Sequence, residues 1–310
     1  MTINIKESRL RKMKDGALEL EQWLEELINQ GLATLDGQEE EYWEELASRM
    51  VNAQLGELAR TIRSFKTIQQ QEDWHTFLLQ EISRLYLVAK SYSKFETLSD
   101  GLQDYLLLTS GVNIKRNDLL QQNGMLDLWL VLSQSFSTQD RLQARYTWIY
   151  GQKNKGIFLL LDYVWGNGDF EDRYDTGKIY EGELIPYPGI QQVRAVLKHR
   201  HPFHGAFEGE GGFNTINVFL NQFSNKIAQN PFLKSIPVLL NNVKIIKKER
   251  FWLVDSNNKA LPLNAQYKQE VFWQLIVLSL ENPISVFGTW DGNSFKVLSS
   301  IADQRLIAFD

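Results

Sequence analysis

The 310-residue chain contains no cysteine. That excludes disulfides, thiolate nucleophiles, iron–sulfur clusters and cysteine-type zinc sites together. It also removes the usual framework of a small secreted scaffold. Long apolar runs are missing as well. The most apolar stretches, residues 157–164 and 275–280, fall far short of the ~20 residues a membrane helix needs. Residues 1–14 are polar and basic without an apolar centre, so they do not read as a signal peptide. A soluble, cytoplasmic protein that does not engage membranes is the expectation. An excess of positive charge is lacking too: 33 Lys and Arg stand against 38 Asp and Glu, for a net charge of −5. A duplex-DNA binder needs the opposite balance to replace counterions on phosphates.

Aromatic residues, by contrast, are plentiful, with 9 Trp, 17 Phe and 11 Tyr. They supply enough large side chains for one substantial core or two modest ones. Up to about residue 123 the chain reads as helices. Leu20, Trp23, Leu24, Leu27 and Ile28 recur at the spacing of one buried helix face, with Gly31 as its C-terminal stop. Trp43, Leu46, Ala47, Met50, Leu58 and Ile62 continue the period as a second segment. Trp74, Phe77, Leu78, Ile82, Leu85, Ala89 and Tyr92 form a third, and Asp100 opens a short fourth. One-sided stripes of this kind pack as a bundle.

Near Met125 the period changes to two. Leu126, Leu128, Leu130 and Leu132 alternate with Asp127, Trp129, Val131 and Ser133, and Leu142, Ala144, Tyr146, Trp148 and Tyr150 alternate with Gln143, Arg145 and Thr147. Further strands are expected at 156–165, 178–185, 243–254, 260–263, 284–290 and 295–298. Helices are expected around Ile190, Val193 and Leu197, at Ile216 to Ile227 with Asn214 or Thr215 as cap, and around Phe272 to Ser279. The Gly-rich stretch at 205–212 is read as a flexible flap or partner-binding loop. The expected fold class is α+β: a helical domain over 1–124, then a β-rich, mostly antiparallel domain over 125–310 with two or three interspersed helices.

Residues that carry chemistry are sparse. His199, His201 and His204 lie close together, followed by Glu208 and Glu210. Imidazoles and carboxylates suit zinc or similar ions. However, Lys198 and Arg200 would repel a dication, and Pro202 keeps His201 and His204 off one regular helix face. The sequence therefore predicts no metal site, and these three histidines are the candidates should one exist. No Gly-x-Ser-x-Gly elbow is present, and the carboxylate pairs read as solvated faces, so no catalytic or cofactor residue is assigned. The stretch at 205–212 precedes a helix but lacks the Gly-Lys-Ser/Thr ending of a phosphate loop. Two basic clusters remain, Arg194, Lys198, His199 and Arg200, and Lys244, Lys247, Lys248 and Arg250. They are either solvated edges that guard strands or, should they converge, a face for nucleic acid or a protein partner.

Glu21-Gln-Trp-Leu-Glu-Glu-Leu-Ile-Asn-Gln-Gly-Leu32, then Trp43 and Ala47-Ser-Arg-Met-Val-Asn-Ala-Gln54, resemble the region that follows the zinc finger in bacterial SWIM zinc-finger proteins. Trp129-Leu-Val-Leu132, residues 141–150, Pro186-Tyr-Pro-Gly189 with Val193-Arg-Ala195, Pro237-Val-Leu-Leu240, Ala260-Leu-Pro-Leu263 and residues 286–292 keep the same order. The finger itself is a Cys-x-Cys…Cys-x-His module. A chain without cysteine cannot supply it, so no zinc-ligand role carries over. The resemblance implies a non-enzymatic accessory or adaptor protein in a system built on a MoxR-type AAA+ ATPase and a von Willebrand A protein. The implied partner is a protein: a SWIM finger protein, the ATPase or the von Willebrand A protein. Nucleic acid bound to a basic face of the β-rich half is the alternative.

Overall fold

The computed structural model describes all residues except 1, 71–72, 140, 167, 207–210, 265–268, 303–304 and 310. The chain packs as two compact units. One holds residues up to 114 together with Pro188–Gln192, and the other holds the rest.

The first unit is helical. Its elements are α1 (Glu7–Gln30), α2 (Glu40–Asn52), α3 (Gly56–Ile68), α4 (Trp74–Tyr92) and α5 (Asp100–Thr109). The buried stripe of α1 is Met13, Ala17, Leu20, Leu24 and Leu27, and that of α4 is Leu78, Ile82, Leu85, Ala89 and Tyr92. Gly31 ends α1 at φ 89°, and its N–H donates to the Leu27 carbonyl. The segment expected to run unbroken from Trp43 to Ile62 is in fact two helices. Gln54 takes a left-handed φ of 66°, and the Leu55 N–H closes back on the Met50 carbonyl at 2.9 Å. Such a reversal normally uses glycine, so the stop was hidden from a glycine-based reading. Gly16, inside α1, is a packing notch. A Cβ there would come within 2.2 Å of the Ala53 Cβ in the α2–α3 turn, so only glycine lets the helix lie this close.

The second unit opens with a short helix, α6 (Arg116–Leu120), and then a five-stranded barrel. Its strands are β1 (Met125–Gln139), β2 (Leu142–Gly151), β3 (Ile157–Trp165), β4 (Ile179–Pro186) and β5 (Arg194–Phe203). They close in the order β1-β2-β3-β5-β4, with β4 returning to β1. All pairings are antiparallel except β3 with β5. Trp129, Val131, Ile149, Leu160, Tyr180, Leu184 and Leu197 fill the barrel, and the Trp129 indole N–H donates to the Gly182 carbonyl at 2.9 Å. The helix expected around Ile190, Val193 and Leu197 is a correction: residues 194–203 are β5. Three apolar residues are too few to fix a helical period, and Ala195 and Leu197 alternate into the barrel core, with Val196 between them buried on the other face.

A six-stranded sheet follows: β6 (Ile236–Lys247), β7 (Phe251–Asp255), β8 (Ala260–Pro262), β9 (Ile284–Trp290), β10 (Phe295–Ala302) and β11 (Arg305–Ala308), in the order β11-β10-β9-β6-β7-β8. The strand expected over 243–254 is the end of β6, a turn at 248–250 and then β7. One face of this sheet buries Val238, Leu240, Val243, Ile245 and Leu253 against α7 (Ile216–Gln229) and α8 (Gln269–Ser279). The other face, through Leu239, Phe287 and Leu298, packs on Leu132 and Tyr150 of the barrel. Thr215 caps α7 by accepting from the Val218 N–H, as expected. Residues 207–210 of the Gly-rich stretch lie outside the described residues. The fold is α+β: a helical region, then a β-rich region of antiparallel sheets with a few helices. No helix among the described residues is long and apolar enough to cross a membrane.

Candidate functional site

His199, His201 and His204 are all exposed on or just beyond β5. His199 sits in a bulge at φ 52°, where β5 gains a residue over β4 between the Glu181–His201 and Glu183–Lys198 pairs. Among the described residues, no three His, Asp or Glu side chains come together as a metal site would require. Glu208 and Glu210 lie outside the described residues.

The first basic cluster also lies along β5, and its Arg and Lys members are each engaged. The Arg194 guanidinium stacks on the Tyr187 ring at 4.4 Å. The Lys198 ammonium pairs with Glu183 at 3.1 Å and donates to the Gln122 carbonyl at 3.0 Å. A hydrogen bond from the Gly124 N–H, with Lys198 beside it, holds the Glu183 carboxyl below the usual carboxylate range. Arg200 donates to Asp172 at 2.9 Å and to the Arg173 carbonyl at 2.6 Å, and stacks on Tyr174 at 4.6 Å.

Arg200 is one of three arginines that grip the β3–β4 connection at one end of the barrel. Arg116 reaches Asp172 from α6 at 3.1 Å. Arg145, only 4% exposed, enters from β2, pairs with Asp162 at 2.7 Å and donates to the Asp172 carbonyl at 2.5 Å. Its guanidinium lies over Phe170 and Tyr174. Burial, with Asp172 and Asp162 nearby, pushes the Tyr174 hydroxyl upward, so it stays neutral. A pocket of about 310 Å³ opens beside this cluster, lined by Arg173, Asp175, Tyr180, Arg200 and Pro202. The cluster's charges are spent on one another and on backbone carbonyls, which is the chemistry of a plug. Reading Arg145 as one of the polar alternators of β2 gave no hint of it, because that polar face is the one turned inward.

The second basic cluster differs. Lys247, Lys248 and Arg250 sit at the β6–β7 turn of the six-stranded sheet, so the two clusters occupy separate sheets. The Lys247 ammonium lies 5.0 Å from the Trp273 ring centre and 5.5 Å from that of Phe251. Arg250 stacks on Trp252 at 4.5 Å. Among the described residues, none of Lys244, Lys247, Lys248 and Arg250 forms an ion pair with a carboxylate. This is the electrostatically open part of the site the sequence outlined.

Residues 8–108 match the family model of the SWIM-associated four-helix bundle domain. The helical region is therefore the SWIM-associated part of the chain, in keeping with a segment that follows the zinc finger. No curated protein matches the chain.

Proposed function

We propose that this SWIM-associated chain is a non-enzymatic accessory protein that works by protein–protein contact beside a separate SWIM zinc finger. Its setting would be a system with a MoxR-type AAA+ ATPase and a von Willebrand A protein. The observation that carries this reading is the match of residues 8–108 to the SWIM-associated bundle on a chain that has no cysteine to build the finger itself. These 310 residues supply none of the finger's thiolates. The interlocked arginine plug agrees with a scaffold role, since its ionised groups are engaged in holding a loop. The test is affinity capture of the tagged chain from its native cells at native expression. Recovery of a SWIM finger protein, the ATPase or the von Willebrand A protein is expected. Repeated capture with none of the three would refute the assignment.

A second reading has its own observation. Five-stranded Greek-key barrels of the oligonucleotide-binding type present ligands on strands 2 and 3. Here the outer side of β2 and β3 exposes Tyr163 at 51% and Trp165 at 66%, with Arg141 exposed in the adjoining turn. Stacking on such rings is worth about 1–3 kcal/mol per base. This likeness of fold argues for a surface, while function rests on the site. If single-stranded DNA or RNA binds there, Trp165→Ala should weaken a low-salt mobility shift by about tenfold. Absence of any shift at low salt removes this reading.

A further inference from the structure

Strands β6 and β7 form a hairpin with two unlike faces. Val243, Ile245 and Leu253 turn inward and pack against α8. Lys244, Ile246, Trp252 and Val254 turn the other way, with Lys244 opposite Val254 and Ile246 opposite Trp252. Ile246 is 37% exposed, and Trp252 and Val254 are half-buried, so an apolar strip stays open on this face. Exposed cations border it. Lys244 stands at one end. At the other stand Lys248 and Arg250 of the turn, with the Arg250 guanidinium over the Trp252 ring at 4.5 Å.

Charge here runs against that of the chain as a whole. Residues 243–262 carry five Lys and Arg and two acids, in a chain of net charge −5. One of the two acids, Asp255, is buried, and its oxygens already accept from the N–H groups of Ile216, Asn257 and Lys259. That leaves Glu249, at the tip of the turn, as the one exposed carboxylate of the hairpin. Glu270 and Glu281 belong to the two ends of α8, which packs on the opposite face of the sheet. Among the described residues Lys244, Lys248 and Arg250 form no ion pair with any acid. The surface complementary to this one bears carboxylates around an apolar side chain.

We infer that this face docks a short acidic segment of a partner protein. Its carboxylates meet Lys244, Lys248 and Arg250, and an apolar side chain between them seats on Ile246 and Trp252. The inference rests on the accessory role proposed above and names the surface and the chemistry of one of its contacts. Arg and Trp stacked together are the residue types that anchor protein interfaces. Nucleic acid fits the face less well. Arg250 already lies over the Trp252 ring, where a base would have to stack. A net charge of −5 also repels a polyanion that runs beyond the patch, whereas a short acidic segment ends within it.

The test is fluorescence anisotropy of a short labelled peptide in which Glu alternates with Leu, titrated with the full chain at low salt. Saturable binding with a dissociation constant below about 100 μM is expected, as suits a small contact. Lys244→Glu combined with Arg250→Glu should weaken it about tenfold or more. Lys12→Glu combined with Lys94→Glu makes the same change of charge at exposed positions of the helical unit, and should leave it within about twofold. All four positions are exposed, and unchanged circular dichroism of each variant confirms that folding is intact. No saturable binding overturns the inference. So does an equal loss in both double variants, which would mean a diffuse field, or a peptide of Glu alternating with Ser that binds as tightly. Tighter binding of a single-stranded oligonucleotide of the same charge, lost in Lys244→Glu with Arg250→Glu, overturns the acidic segment as occupant. The peptide assay needs no native partner, so its failure removes this surface and leaves the accessory role to the capture experiment.

Discussion

Asp255→Ala should destabilise the β-rich unit by about 3 kcal/mol, through the loss of three backbone hydrogen bonds at once. Asp255 is 5% exposed at the end of β7. One carboxylate oxygen accepts from the Ile216 N–H at 2.8 Å, at the first turn of α7, thirty-nine residues away. The other accepts from the N–H groups of Asn257 and Lys259, both at 2.9 Å, and closes the β7–β8 turn. The buried Ile216 N–H left without a partner costs about 1–3 kcal/mol, and the part-buried N–H groups of Asn257 and Lys259 cost less each because water reaches them; the negative charge at the start of α7 also favours the helix dipole. Asp255→Asn should fall between wild type and alanine, since an amide can still accept on one side while its NH2 faces a donor on the other. Urea denaturation measures the loss, and hydrogen exchange should show the first turn of α7 opening early. A cost under about 1 kcal/mol for alanine would mean that water replaces the carboxylate freely.

Much of the architecture was legible because period and burial coincide. The stripe from Leu78 to Tyr92 is a helix with that face buried, and the alternations at 126–132 and 142–150 are antiparallel neighbours β1 and β2. The strands expected at 284–290 and 295–298 are the antiparallel pair β9 and β10, and in the turn between them Asp291 accepts from the N–H groups of Asn293 and Ser294. What stayed hidden depends on partners remote in sequence. Asp255 reads as an ordinary turn acid until Ile216 is seen to donate to it. The break at Gln54 lacks glycine. The helix read at Ile190 to Leu197 rested on a local period that barrel closure overrides, because β5 must pair with β4 along its length and with β3 at one end. The candidate site was legible as residue types only. Lys198 and Lys247 look alike in sequence, yet one is paired with Glu183 and the other rests on Trp273 without a carboxylate.

The same limit of local reading sets up the second large effect, at Arg145. Alternation along β2 gives two faces but does not say which is inside, and a charged residue argues for the outer one. The barrel reverses that expectation: Arg145 and Thr147 point inward, at 4% and 0% exposure. Aromatic rings and the Asp162 and Asp172 groups make this tolerable, since a buried guanidinium must be paired and stacked. Arg145→Ala should therefore cost about 3 kcal/mol, the lower end for breaking a buried pair, because the Asp162 side chain keeps a fifth of its surface in water. The deletion also releases the loop it pins. Arg173, whose side chain is already 91% exposed, should become a rapid tryptic cleavage site. If the ion pair is structural, Arg145→Met combined with Asp162→Leu should cost only about 1 kcal/mol, since apolar replacement of both partners removes the desolvated charges together and leaves the Asp172 carbonyl as the one unmet acceptor. Should the double variant be as unstable as Arg145→Ala, the stacking on Phe170 and Tyr174, and not the ion pair, holds the barrel end shut.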